Sequence, residues 1–242
     1  MKDERIRIGE AARILGISVQ TLRNWEKAGK LMPQRSSGGQ RYYRSEDIKR
    51  FAVDLQKLSW AWAASAQPPE IPAEYYCERQ DRFTSRLEKM SMLLLQSGII
   101  NEDLVSLLTT IVGEIGDNSF MHNVGNWPDM PGIFFAYDIS KRVIVLADRG
   151  QGVRKTLSRV RPHIETDVEA LRIAFTEIIS GREPEKRGNG LKVVRRIVES
   201  NPIRLLFRSG VAVMKSPKGR QGSITVAAAP ENVRGAYAVV TF

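Results

Sequence analysis

The chain has 242 residues, 42% of them hydrophobic, which is enough for one large packed domain or two modest ones. Its 37 Lys and Arg outnumber 27 Asp and Glu, and the formal charge of +10 points towards an anionic partner. No run of about 18 apolar residues occurs, the first ten residues mix acids with bases and lack a secretory signal's apolar core, and the single cysteine, Cys77, excludes an internal disulfide or a cysteine-based zinc cluster.

The charge is concentrated at the front, where residues 1–60 hold 13 Lys and Arg against 7 Asp and Glu. A basic head on a milder body suggests nucleic-acid binding. Ile8, Ala11, Ala12 and Leu15 recur at helical spacing until Gly16 breaks the pattern. Ser18 is a good N-cap for a second helix carrying Leu22 and Trp25, and two short helices about a tight turn make a helix-turn-helix. Gly38-Gly39, within RSSGGQRYYR, signals a hairpin between two extended arms. Ser45, followed by Glu46 and Asp47, opens a third helix whose apolar face holds Ile48, Phe51, Leu55 and Leu58.

In this order, IGEAARILGISVQTLRNWEKAGKLMPQR followed by GGQRYYRSEDI resembles the MerR-type winged helix-turn-helix over residues 6–58. The resemblance implies a head (residues 1–60) that binds double-stranded DNA. Its second helix would enter the major groove through Gln20, Thr21, Arg23 and Asn24, while Arg35, Arg41 and Tyr43 hold phosphates and the wing. Periodicity places Leu22 and Trp25 in the core.

Residues 59–73, SWAWAASAQPPEIPA, carry three prolines within five positions, so a linker is expected over 61–73. Trp60 and Trp62 would pack on the head or form a partner surface. Residues 74–97 read as one helix, with Tyr76, Phe83, Leu87, Met90 and Leu94 in a heptad-like seam. That seam suits either a homodimer or an amphipathic helix packed on its own domain, and both readings stay open.

Further on, Leu104, Leu108, Ile111 and Ile115 stripe a helix that ends in EIGDNSFMHN, where Glu114, Asn118 and His122 are spaced four apart. Gly113 and Gly116 interrupt it, each costing about 1 kcal/mol against alanine, as expected where function overrides propensity. His122 should return towards the apolar stripe. Strands IFFAYD (133–138) and VIVLAD (143–148) follow, the second running into DRGQG. A helical stretch at 167–180, the segment SGREPEKRGNGLKVVRRIVES with a helix from Leu191, and strands at 203–208, 211–215, 223–228 and 236–242 complete the chain.

E-x-x-x-N, D-x-G-x-G and G-x-G-L, in this order on helix, strand end and helix start, resemble the Bergerat-type pocket of the GHKL ATPases over residues 98–242. An α+β protein is therefore expected: a small helical winged head, then a two-layer α/β sandwich binding ATP and Mg²⁺. By this resemblance Asp148 accepts from the adenine amino group, and Asn118 ligates Mg²⁺. Glu114 takes the position of a general base on water. Gly150 and Gly152 let backbone approach the base, while Gly188, Gly190 and Leu191 open a helix whose amides hold phosphates. The segment between Gly152 and Gly188 would be a lid, with Arg182, Lys186 and Arg187 near phosphates or solvated. In that superfamily a threonine after a glycine near the last strands supports the base; here Gly222 is followed by Ser223 and Gly235 by Ala236, and both alignments stay open.

The leading expectation is a cytoplasmic DNA-binding regulator whose nucleotide state alters DNA or partner binding. The alternative is a protein serine kinase or ATPase with a DNA-targeting head, acting on a partner of the anti-sigma-antagonist type.

Overall fold

The computed structural model describes residues 5–29, 31–139, 141–177, 189–217 and 222–242, with side chains except at 49–54. It opens on β1 (Arg5–Arg7), a strand too short to read from periodicity. Next comes α1 (Ile8–Leu15), which buries Ala11, Ala12 and Leu15 and ends at Gly16 in the left-handed region, φ +66°. Ser18 caps α2 (Val19–Lys27) by accepting from the Thr21 N–H at 3.0 Å. Strands β2 (Gln34–Arg35) and β3 (Arg41–Arg44) form the wing, and β1 completes a three-stranded antiparallel sheet in the order β1-β3-β2.

Helix α3 (Ser45–Ala64) continues through residues 61–64, expected as linker. Burial explains the extension, because Trp62 and Ala63 are packed in the interior and Pro68 and Pro69 come only later. Phe51 lies outside the described side chains. The helix expected at 74–97 begins late. A 3₁₀ turn (Ala73–Tyr75) leads into β4 (Tyr76–Cys77), and α4 spans Gln80–Ser97. Tyr76 and Cys77 are taken by pairing with β5 (Ile133–Asp138).

Asn101 caps α5 (Glu102–Asn123), accepting from the Leu104 N–H at 3.0 Å. After β5 come β6 (Val143–Asp148), a short α6 (Val153–Leu157), α7 (Asp167–Thr176) and α8 (Gly190–Ser200). The four terminal strands expected from sequence are two long ones, β7 (Arg204–Lys215) and β8 (Thr225–Thr241). An irregularity between Ser209 and Ala212 bends β7 where a break is expected, with Gly210 at φ +58°. The body sheet has the order β4-β5-β6-β8-β7 and is antiparallel throughout. Helices with an antiparallel sheet make the chain α+β.

One face of this sheet carries α4, α5, α7 and α8 over Phe83, Leu108, Ile111, Phe135, Leu146, Val194 and Phe207. Phe83, Met90 and Leu94 are buried in that core and Leu87 packs against it, so of the two readings left open for this seam the structure shows packing on the chain's own domain. Gly116 belongs to the same contact. A Cβ there would stand 2.2 Å from the Phe83 ring, so this glycine makes room for α4 rather than marking a weak point beside a ligand.

The opposite face of the sheet is covered too, by the head and α3, which add a third layer to the helices and sheet of the body. Trp62, Phe134, Ala136, Val145, Val233, Tyr237 and Val239 share one core with Leu15, Leu22, Trp25 and Tyr43 of the head. Trp60 meets the Tyr237 ring edge-on at 5.1 Å, and Trp62 lies 6.0 Å from Phe134. Gly16 abuts Tyr137, and the Ser18 hydroxyl donates to Glu74 at 2.9 Å. The head is thus seated on the back of the body sheet.

Candidate functional site

On α2, Gln20, Arg23, Asn24 and Lys27 are exposed along one helical face, while Thr21, Leu22 and Trp25 are buried on the other. Gln20 donates to Asn24 at 3.1 Å. Thr21 therefore does not belong to the reading face. Its N–H serves the Ser18 cap, and its hydroxyl lies 3.1 Å from that of Ser18. Tyr43 is also a core residue, facing Ile6 across β1 and β3. Arg35 Nη2 and Arg41 Nε each donate to a Glu26 carboxylate oxygen at 2.6 Å, so both fold the wing onto α2. The Arg41 and Arg35 hydrogen bonds hold the Glu26 carboxyl below its ordinary value. The β1 strand adds exposed Arg5 and Arg7 to the wing edge, with Arg5 over the Tyr42 ring at 4.8 Å.

In the body, the end of α5, the loop after β6 and the start of α8 surround one cavity of about 530 Å³. Asn118, Asp148, Gly152, Gly190 and Leu191 line it. Glu114 stands beside it, with Oε2 2.2 Å and Asn118 Nδ2 3.4 Å from where a Gly190 Cβ would sit. Burial, then the neighbouring Asp117 charge, raise the Glu114 carboxyl above its ordinary value. Gly188 and the basic segment before it lie outside the described residues. His122 is exposed and lines the cavity mouth instead of joining the apolar stripe.

Asp148 lies at the cavity floor and is buried. Ser119 Oγ donates to its Oδ2 at 2.7 Å, the Gly150 N–H donates to its Oδ1 at 2.8 Å, and the Ala236 N–H is a third donor. Burial pushes this carboxyl up, and the three hydrogen bonds oppose that rise. An ionised carboxylate has roughly four acceptor sites, so one remains for an N–H in the cavity.

The glycines divide by surroundings. A Cβ on Gly150 would strike the Asn123 amide at 2.2 Å, so its space is taken by protein. Asn123 accepts from the Gln151 N–H and donates to the Ser119 carbonyl, both at 2.8 Å, pinning the loop to α5. Gly152 has φ +79° and lines the cavity. Gly235, not Gly222, is the glycine against the carboxylate: a Cβ there would lie 2.1 Å from Asp148 Oδ1, and Ala236 lines the cavity beside it.

Sequence reasoning missed Ser119, Asn123 and Lys192. Ser119 follows Asn118 directly, and its helical position towards the sheet was a usable signal. Lys192 lines the cavity two residues into α8, and burial lowers its ammonium below the ordinary lysine value.

The family-model comparison bears on the head. Residues 7–43 match the MerR family regulatory protein model, so the chain carries the DNA-binding helix-turn-helix of that family of transcription regulators. A Type II methyltransferase, M.Eco47II of Escherichia coli, is 43% identical over 63 residues, which is 25% of this chain and 15% of that protein's length. The chain thus spans a small fraction of that relative. Among the described residues, no helix is long and apolar enough to cross a membrane.

Proposed function

We propose that the chain is a DNA-binding regulator whose body is a GHKL-type domain that binds ATP with Mg²⁺ and sets the DNA affinity of the head. The observation that carries this reading is that residues of all three sequence motifs line a single cavity around a buried carboxylate. Asp148 has acceptor capacity for the adenine amino group. Gly235 and Gly190 lack side chains where a Cβ would overlap Asp148 or Glu114.

The residues present fit the expected ligands. Asn118 offers an amide oxygen suited to a hard cation, and the N-terminal amides of α8, with Lys192, suit phosphates. Mg²⁺, when bound, would neutralise phosphate charge. The chain's own groups would orient the base at Asp148 and the phosphates at Gly190 and Leu191. Coupling to DNA requires that the nucleotide favour one DNA-binding state over another. It is supported by the core that the head shares with the back of the sheet.

The test is calorimetric titration of the full chain with ATP, with and without Mg²⁺, followed by binding to a mixed-sequence duplex in each state. Asn118→Ala should abolish the Mg²⁺ dependence. Absence of ATP binding would reject the reading of the body, and equal DNA affinity in all states would reject the coupling.

One observation favours a second reading, an ATPase or protein serine kinase with a DNA-targeting head. The raised Glu114 carboxyl beside Gly190 suits a general base. Phosphate release from ATP that survives Glu114→Gln would reject that role.

A further inference from the structure

Arg149 follows the cavity residue Asp148, yet its side chain leaves the cavity. Asp148 faces the cavity floor, and the alternation of a strand end sends its successor to the back of the sheet. There the Arg149 guanidinium is fully buried. Nε donates to Asp129 Oδ2 at 2.8 Å, and Nη2 donates to the same oxygen. Nη1 donates to the carbonyls of Trp62 and of Ser65, the latter at 2.8 Å, and Nη2 reaches the Ala66 carbonyl at 3.3 Å. The guanidinium also stands 5.9 Å from the Trp62 ring.

Trp62 lies in the last turn of α3, the helix that leaves the head, Ser65 is its C-cap and Ala66 follows the cap. A helix C-terminus has orphan carbonyls and a partial negative charge, and α3 carries no basic residue in its last turn. Arg149 supplies that cation from the body. The arrangement is repeated on the neighbouring strand, where Arg234 precedes Gly235 and donates to Asp129 Oδ2 at 3.0 Å. Both backbone segments that hold the Asp148 carboxylate therefore have an arginine passing to the opposite face, and both arginines meet at Asp129.

We propose that Arg149, held by Asp129, is the positioning residue through which occupancy of the Asp148 cavity reaches the DNA-binding head. This rests on the nucleotide reading of that cavity. A base bound at Asp148 fixes the loop 148–152, the loop fixes the guanidinium, and the guanidinium fixes the end of α3 on which the head is carried. An ion pair that only braces the fold would hold α3 equally with and without nucleotide. Coupling through order needs an observable change at the second site.

The experiment is hydrogen exchange of the full chain over residues 60–68, with and without ATP and Mg²⁺, alongside calorimetric ATP binding. Wild type, Arg149→Lys and Asp129→Asn are compared. The expected result is ATP binding by wild type, with exchange at 60–68 slowed about threefold or more. Arg149→Lys keeps a charge but loses the fork geometry. It should bind ATP within about threefold of wild type while losing the ATP-dependent slowing. Asp129→Asn should blunt that slowing in the same way.

If wild type binds ATP with unchanged exchange at 60–68, the role of Arg149 is overturned and the nucleotide reading stands. If ATP does not bind, both fall. If both variants keep the ATP-dependent slowing, Arg149 is not the link. Should Arg149→Lys fail to fold, the wild-type comparison and Asp129→Asn decide the matter.

Discussion

Gly113 and Gly116 lie three residues apart on α5, and the structure predicts opposite effects for the same substitution. In a helix interior, alanine gains about 1 kcal/mol over glycine. At Gly113 the new Cβ would meet Leu87 Cδ2 at 3.4 Å, an ordinary contact. Gly113→Ala should therefore stabilise the chain by about 0.5–1 kcal/mol. At Gly116 the Cβ would fall 2.2, 2.4 and 2.8 Å from three atoms of the Phe83 ring. Carbon atoms settle at about 3.5–4.0 Å, so the ring must retreat by more than about 1 Å. It cannot do so cheaply, being buried with Phe135 at 5.3 Å and Phe120 at 6.1 Å between ring centres. Overpacking costs about 1–3 kcal/mol, and this overlap belongs near the top of that range. After the propensity gain, Gly116→Ala should destabilise by about 2 kcal/mol. Urea unfolding of both variants measures the difference. Equal stability of the two would refute the packing explanation, as would a Phe83→Leu change that fails to relieve Gly116→Ala in a double-mutant cycle.

Asp148→Asn should weaken ATP binding at least about tenfold while changing stability by less than about 1 kcal/mol, because a desolvated charge is removed with the acceptor. Its pH signature has a definite sign: the Asp148 carboxyl is raised by burial, so the folded chain takes up a proton before the unfolded chain does. Stability from this site falls as pH rises through the raised value, and chemical denaturation across pH should show that dependence lost in the asparagine variant. Ser119→Ala removes a donor from a buried carboxylate and should cost about 1.5–3 kcal/mol in urea unfolding. Glu26→Gln should loosen the wing and lower affinity for a mixed-sequence duplex. The Glu26 carboxyl is depressed by Arg41 and Arg35, so its contribution is present above the ordinary carboxylate value and lost as pH falls through the depressed one. Thermal melts of wild type and variant should converge at acid pH.

Much of the order of elements was legible because it is local. Apolar spacing marks α1, α2 and α5, and Ser18 marks a helix start through a cap that does form. Asn118, Asp148, Gly152, Gly190 and Leu191 were legible through motifs at a helix end, a strand end and a helix start, whereas Ser119, Asn123 and Lys192 beside them were not. What escaped was long-range. Thr21 and Tyr43 are polar enough to suggest contacts, but their burial depends on partners far along the chain. Gly116 looked like a weakness because Phe83 lies on another helix. The covered back face did leave a trace: β5 and β6 are apolar without alternation, and every residue of both is buried. Such runs belong to strands covered on both faces.

That shared core also governs how the chain can be divided. Cutting between residues 65 and 72, at the prolines, would leave the body with Phe134, Val145, Tyr237 and Val239 open to water on one whole side. The severed head would lose the seat of Trp60 and Trp62. Fragments made there should be sticky and poorly soluble. A hybrid regulator that transplants this head alone would have to carry a substitute for the sheet beneath it.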